Sequence, residues 1–444
     1  MLKTFRRGGI HPPENKLTAG CKIERIPLPE NVIIPVTQHI GAPATVTVSK
    51  GDKVLTGQLL AKSGGFVSAN IHSSVSGTVS KIDNFTDISG YKQTCIFIDV
   101  NGDDWMSDID RSPELITEIN HSPEEIIQKC QEVGIVGLGG ATFPTHVKLK
   151  IPTGKKCNLL IINGVECEPY LTADHRLMLE KGEEIITGTR IIMKALGVNK
   201  AIIGIENNKP DAITHLEKLL NGSNDIAVQA LKVKYPQGGE KQLIKAVTGR
   251  EVPSGGLPID VGIVVHNAGT AFAVYEAIQK NKPLFERVIT VTGKSLSKPG
   301  NYLVRIGTPV SKLIEAAGGL PDDTGKIIFG GPMMGKAIPN TQIPVVKGTS
   351  GIVVFPLSES ERINYGPCIR CSKCVSVCPM GLEPYLLMAL SEKNLFEKAA
   401  NEKITDCIEC GSCSYICPAH RPLLDYIRLG KSTVMRMNRE KSMK

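Results

Sequence analysis

Hydrophobic positions along the chain change period several times, and each change marks an element. Residues 159–162, 201–205 and 226–233 are short apolar-rich runs of the kind that buried strands carry. Between them, residues 183–196 and 210–220 repeat apolar positions at helical spacing, so strand and helix alternate and predict a mostly parallel sheet. Ahead of this region, Ser122-Pro123-Glu124-Glu125 combines the cap, proline and acidic residues of a helix start, and Ile126, Ile127, Cys130 and Val133 recur on one face. Residues 46–83 read instead as short strands punctuated by Gly51, Gly57, Gly64, Gly65 and Gly77. Residues 382–400, rich in Leu, Met, Ala, Glu and Lys with Pro384 in the first turn, predict one helix.

Composition adds a scale. A length of 444 residues leaves room for about two to four domains, and 41% hydrophobic against 22% charged residues describes a globular chain with a sizeable core. The expected class is multidomain α/β. Aromatics make up 5%, with Trp105 the one tryptophan, so no stacking platform for nucleic acid is expected. The net charge of +8 is unevenly spread: Arg428, Lys431, Arg436, Arg439, Lys441 and Lys444 stand against Glu440 in the last seventeen residues. That predicts a basic tail, either solvated or turned to an anionic membrane surface or an acidic partner. No apolar run approaches the ~18–20 residues of a membrane-spanning helix, and residues 1–16 lack a signal-peptide core. The expected location is the cytosol or the cytoplasmic side of the cell membrane.

Cysteine carries the strongest chemical signal. Of thirteen cysteines, eight form two near-copies of one motif offset by 39 residues: Cys368, Cys371, Cys374, Cys378 with Pro379, and Cys407, Cys410, Cys413, Cys417 with Pro418. The repeated C-x2-C-x2-C-x3-C-P spacing is that of bacterial two-cluster ferredoxins, in which the fourth cysteine of each run ligates the other cluster. One 4Fe-4S cluster then takes Cys368, Cys371, Cys374 and Cys417, and the other takes Cys407, Cys410, Cys413 and Cys378. Paired zinc sites are the competing reading, but zinc ribbons need neither the third cysteine nor the trailing proline. Cys21, Cys95, Cys130, Cys157 and Cys167 have no metal spacing and read as buried small hydrophobes.

A glycine cluster, Gly134-x-x-Gly137-x-Gly139-Gly140, follows the helix begun at Ser122 and leads to Pro144. A dinucleotide fingerprint follows a strand and opens a helix, so the Rossmann reading fails. What remains is backbone that can approach a planar or phosphorylated ligand, with Lys148 suited to a phosphate, or else a plain tight turn. After the strand at 159–162 come Asn163, Glu166 and Glu168, at the end of a parallel strand where open α/β sheets bind ligands. A solvated loop is the alternative there.

The order Gly137-x-Gly139-Gly140-Ala-x-Phe143-Pro144-x-x-x-Lys148, Asn163-x-x-Glu166-x-Glu168-Pro169, Tyr235-Pro-x-Gly238-x-Glu240 and Val265-x-Asn267-x-x-Thr270 resembles the flavin- and NADH-binding subunit of respiratory complex I. The tandem cysteine motif narrows the resemblance to the RnfC family, which belongs to the Rnf complex, an ion-translocating ferredoxin:NAD oxidoreductase. That resemblance implies FMN over Gly137, Gly139 and Gly140, its phosphate at Lys148, and Asn163, Glu166, Gly238, Asn267 and Thr270 around the cofactors. It also implies that Glu168 and Glu240 face NAD(H). The chain has Leu138, Thr142, Val165, Gly239 and His266 where complex I subunits carry Arg, Gly, Asp, Glu and Asn.

The flanks carry resemblances as well. Residues 50–61 and 74–79 resemble a biotinyl/lipoyl barrel-sandwich hybrid domain without a carrier lysine, and the segment from Arg287 resembles the β-grasp domain that follows the flavin domain in complex I. The expected layout is a barrel-sandwich domain over 1–108, an FMN/NADH-binding α/β domain over 109–286, and a β-grasp domain over 287–355. A helical ferredoxin-like domain over 356–430 and a basic tail over 431–444 complete it. The resemblance implies a peripheral subunit passing electrons between NAD(H) at FMN and two 4Fe-4S clusters, beside membrane-spanning and iron-sulfur subunits of the same complex. The alternatives are the diaphorase subunit of a soluble NAD-linked hydrogenase or formate dehydrogenase, and an electron-carrying adaptor with an empty flavin site. Anaerobically prepared protein should hold about eight iron and eight sulfide per chain; two zinc per chain, with no iron-sulfur absorbance after reconstitution, would refute the cysteine reading.

Overall fold

The computed structural model describes residues 2–361 and 363–442, so Lys444 of the basic segment lies outside the described residues. The expected parallel sheet is present. Its four strands run in the order Ile226–Leu231, Ala201–Glu206, Leu159–Asn163, Ile263–Asn267, all parallel. Alternate side chains serve two layers. Leu160 and Ile162 enter a core with the helices Pro123–Glu132, Gly182–Leu196, Pro210–Leu219 and Ala268–Gln279, whereas Ile161 packs with Leu243, Ile244 and Val247 of the helix Glu240–Thr248. Because both faces are packed, the central strands Leu159–Asn163 and Ala201–Glu206 are apolar until Asn163 and Glu206 at their C-terminal ends. The start of the Pro123 helix is a capping box: Glu125 N–H donates to Ser122 Oγ and Ser122 N–H to Glu125 Oε2.

Two further sheet systems flank this domain. Near the N-terminus, the antiparallel strands Asn31–Pro35, Lys92–Val100, Gly77–Thr86 and Lys53–Val54 form one sheet, and Thr45–Val46, Leu59–Lys62 and Ile71–His72 form a second, sharing a core that includes Ile34, Leu60, Ile71, Val79 and Ile96. A six-stranded mixed sheet follows the parallel domain, in the order Ile23–Arg25, Gly300–Arg305, Glu286–Thr292, Gly351–Pro356, Thr324–Phe329, Lys336–Ala337. Its first edge comes from the opposite end of the chain. Ile23–Arg25 pairs in parallel with Asn301–Leu303, so a segment expected in the N-terminal domain completes a distant sheet.

Two expectations for the C-terminal region change. The helix expected over 382–400 is two helices, Pro384–Glu392 and Phe396–Asn401, broken where Asn394 adopts φ +56°; asparagine tolerates this left-handed conformation better than most residues. The basic residues Lys431, Arg436, Arg439 and Lys441 do not begin a separate tail. They continue the helix Leu423–Ser442, which buries Ile427 and Val434 against the cysteine-motif core.

The helices Gly182–Leu196 and Ala268–Gln279 cross so closely that a Cβ at Gly188 would collide with the Ala271 carbonyl oxygen. Gly188→Val should therefore destabilise the parallel-sheet domain by about 1–3 kcal/mol, the usual cost of overpacking. A thermal melt reads this as a lowered Tm; an unchanged Tm would mean that the two helices can separate at no cost.

Candidate functional site

The site grows from the C-terminal edge of the parallel sheet, where Asn163 and Asn267 are register partners on adjacent strands. Asn163 accepts from Val165 N–H at 3.1 Å and donates to the Gly238 carbonyl at 2.8 Å. Asn267 caps the helix Ala268–Gln279 by accepting from Gly269 N–H at 2.8 Å, and donates to Asp174 at 2.6 Å and to the Asn163 carbonyl at 3.3 Å. Two amide side chains thus tie together loops from four parts of the chain. The glycine loop docks on the same edge: Gly137 N–H donates to the Phe143 carbonyl at 2.9 Å, and Leu138 N–H to Thr270 Oγ1 at 3.0 Å. A Cβ on Gly139 would lie 2.6 Å from Asn267 Nδ2, yet Gly139, Gly140 and Ala141 keep their other side exposed. Lys148 and Glu240 meet at 2.7 Å, both partly exposed.

Gly137, Gly139, Gly140, Lys148, Asn163, Gly238, Glu240, Asn267 and Thr270 therefore converge. A bare, exposed glycine backbone with amides and an ammonium beside it fits a planar group carrying a phosphate, as FMN does.

The two remaining carboxylates do not join them. Glu166, at φ +45°, accepts from the N–H groups of Asp174 at 2.8 Å and His175 at 3.2 Å, holding the first turn of the helix Ala173–Glu180. Glu168 was expected to face a dinucleotide; instead it accepts from Met333 N–H at 3.0 Å and Met334 N–H at 2.8 Å in a loop of the six-stranded sheet domain. Burial pushes its pKa up to about 7, against the pull of those two amides and of Lys16 and Arg428. The cause of this turn is Lys16, whose ammonium collects the carbonyls of Glu166, Glu168 and Leu171 at 2.8, 2.8 and 2.6 Å. Burial lowers the Lys16 pKa to about 8, with the neighbouring charge of Lys209 adding to the effect. Sequence reasoning missed Lys16, because nothing around it forms a motif. It also missed Asp174, half-buried at the sheet edge with its pKa raised to about 6 by desolvation and then by Glu166.

Cysteines of the two motifs come together. Cys378 from the first motif lines one small cavity together with Cys407, Cys410 and Cys413 of the second, closed by Leu387, Leu424 and Ile427. Cys417 of the second motif lies within electrostatic reach of Cys374 of the first, while Cys368 and Cys371 are exposed. None of the thirteen cysteines forms a disulfide. Four thiols spread around a cavity fit a cluster, whose ligands sit on different iron atoms. Among the described residues, no three His, Cys, Asp or Glu side chains are grouped to hold a single metal ion.

Comparison with known proteins agrees with this geometry. Residues 130–276 match the Nuo51 FMN-binding domain, 3–103 the RnfC barrel sandwich hybrid domain, 288–337 the SLBB domain and 360–418 the 4Fe-4S dicluster domain. Among solved structures, NAD+-reducing NiFe-hydrogenase in its H2-reduced and air-oxidized states shares the fold, with TM-scores of 0.50 and 0.51 at 19% identity. Those matches cover 71% of this chain and 63% and 66% of theirs. A flavin-type α/β domain joined to a dicluster module defines the class, an electron-transfer subunit.

Full-length relatives are narrower. The chain is 49% identical to the C subunit of the proton-translocating ferredoxin:NAD(+) oxidoreductase complex of Clostridium ljungdahlii, over 97% of this chain and 94% of that one. It is 45% identical to the Na(+)-translocating counterpart of Acetobacterium woodii, over 98% of each. With the C subunit of the ion-translocating oxidoreductase complex of Rhodobacter capsulatus it shares 43% identity, over 97% of this chain and 83% of that one. The chain belongs to this family, RnfC.

The Glu168 environment predicts a pH dependence. Its folded pKa is raised, so the native state holds the proton more tightly than the unfolded chain, and the stability this confers is lost as pH climbs from about 4.5 to about 7. Relative to Glu168→Gln, the wild type should lose about 1–3 kcal/mol across that range and then level off. Paired thermal melts between pH 5 and 8 check this, and a pH-independent difference would contradict it.

Proposed function

We propose that the chain passes electrons between NAD(H), met at FMN on the parallel-sheet edge, and two 4Fe-4S clusters, as the peripheral subunit of a membrane ion-translocating ferredoxin:NAD oxidoreductase. The observation that carries the reading is the convergence of the exposed glycine loop, Lys148, Asn163, Asn267 and Glu240 on one edge, in a chain whose cysteine motifs cross over one cavity. FMN, when bound, exchanges a hydride with the nicotinamide and single electrons with the clusters. The chain's own residues supply binding and orientation. Gly137, Gly139 and Gly140 offer backbone without side chains in the way, and Lys148 turns from Glu240 to the phosphate. Glu240, so released, is the carboxylate left to meet nucleotide hydroxyls. Asn163, Asn267, Gly238 and Thr270 keep the loops in register, and Glu166 holds the adjoining helix end.

By the same reading, Cys368, Cys371, Cys374 and Cys417 hold one cluster and Cys407, Cys410, Cys413 and Cys378 the other. The N-terminal sheets form a barrel-sandwich hybrid, the six-stranded sheet contains a β-grasp unit, and the C-terminal helices form a ferredoxin-like module. Among the described residues no helix is long and apolar enough to cross a membrane, so ion passage falls to membrane-spanning partner subunits, with this chain on their cytoplasmic side. A diaphorase role in a soluble hydrogenase is less well supported, since the relatives matched along the full chain are Rnf-type subunits.

Lys148→Ala should weaken FMN binding about ten- to hundred-fold, the ~1.5–3 kcal/mol of one charge-assisted contact, with iron content unchanged. Flavin fluorescence titration of the cluster-replete protein measures it. Equal occupancy at limiting FMN would show that Lys148 does not hold the phosphate and that the loop is a plain turn, and a wild type that binds no flavin would overturn the reading in favour of an adaptor with an empty site.

A further inference from the structure

We infer that Tyr235, with the N-terminal strap around Gly8 and Gly9, is a positioning device that grips the cluster site of Cys378, Cys407, Cys410 and Cys413 and locks it to the flavin edge of the parallel sheet. The inference rests on the ligand assignment proposed above and names residues outside it.

The strap begins as an added edge to the parallel sheet. Lys3 bridges Leu231 in parallel, and Lys232 N–H donates to the Lys3 carbonyl at 3.0 Å. Thr4 donates to Gln237 at 2.7 Å, and Phe5, 3% exposed, lies under the Lys234 ammonium at 4.3 Å. Ile10 and Tyr235 then exchange both backbone hydrogen bonds, at 2.8 and 2.9 Å. The segment from Lys3 to Ile10 is thus fastened to the loop whose Gly238 carbonyl Asn163 holds.

From that fastening, two contacts reach the cysteines. Gly9 N–H donates to the Val377 carbonyl at 2.8 Å, and Gly8, at φ +65°, lies so close to Cys378 that a Cβ would stand 2.6 Å from its carbonyl carbon and oxygen. Tyr235, 2% exposed, donates its hydroxyl to the Cys410 carbonyl at 2.8 Å. Cys378 belongs to the first motif and Cys410 to the second, and both line the same cavity. One paired segment therefore holds a cysteine of each motif at a site where the two motifs must stay together. Ile10, Tyr235 and Cys410 pack as a small buried cluster with Cys167, Met333, Val377 and Ile408, which excludes water from that side.

Two consequences follow for the cluster. Its distance from the flavin edge is set by a short path that runs from Asn163 to the Gly238 carbonyl, back along the backbone to Tyr235, and through the buried Tyr235 ring to the Cys410 carbonyl. Its potential is tuned by the phenol, since hydrogen bonding and solvent exclusion near a cluster are the protein's main levers on it. The phenolic hydrogen points its positive end toward the Cys410 carbonyl, so losing it makes the site harder to reduce.

The test uses the full chain with its iron and FMN. Tyr235→Phe keeps the ring and deletes the hydroxyl. Iron, sulfide and FMN contents should match the wild type, while the EPR spectrum of one reduced cluster changes and its midpoint potential falls, the other cluster staying as it was. Gly8→Ala should displace Cys378 and weaken or abolish the signal of that same cluster. Cys378→Ala identifies which signal that is, and if both signals survive it unchanged, the ligand assignment fails before this inference is reached. If Cys378→Ala removes one signal but Tyr235→Phe and Gly8→Ala leave both clusters' spectra and potentials at wild-type values, the positioning role is wrong and the assignment stands. Should Tyr235→Phe not fold, Gly8→Ala decides alone.

Discussion

Parallel pairing of Leu159–Asn163 with Ile263–Asn267 sets Asn163 directly beside Asn267, and the polar site is built on that register. Each asparagine uses both ends of its amide, one to hold a local backbone turn and the other to reach a neighbouring loop or helix. A shift of one residue would send every side chain of a strand to the opposite face, moving Leu160 and Ile162 out of the larger core and Asn163 away from Gly238. The apolar packing that selects the register therefore also selects the site.

Charge is handled inside the fold by pairing. Lys16 satisfies its ammonium with three carbonyls of one loop, an arrangement that a half-buried cation needs where it has lost water. Between the parallel domain and the six-stranded sheet, Lys282 lies between Glu276 and Glu286, and Glu286 also meets Arg25 and Arg305. Burial alone would raise the Glu286 pKa; the surrounding cations, Lys282 foremost, outweigh it and hold the group at about 2. Pairs of this kind contribute little over apolar packing but are costly to break on one side, so they hold the two domains in one relative arrangement.

The C-terminal helix links this frame to the cysteine region. Arg428 bonds Glu409 and the Met334 carbonyl, while Lys431 bonds Glu409 and the Cys407 carbonyl. Met334 is also one of the two residues whose amides hold Glu168. The same short loop therefore touches the strand-end loop of the parallel sheet on one side and the helix that braces the second cysteine motif on the other. Basic residues that look like a surface feature in the sequence act here as struts.

Local spacing is enough to reveal whatever depends on near neighbours. The capping box at Ser122 and Glu125 and the apolar runs of the parallel strands arise within a few residues, and each is where it was expected. Packing of the whole chain settled the remainder. Ile23–Arg25 became a strand only because Gly300–Arg305 offers an open edge; its three residues carry no strand signal of their own. Glu168 turned from the expected nucleotide side because Lys16, far away in sequence, gathers the carbonyls of its loop and because two amides from a third domain await its carboxylate. Strap and phenol at Gly8 and Tyr235 meet the cysteines for the same reason. Such contacts join residues hundreds of positions apart, and no local pattern encodes a partner that only the packed chain brings near.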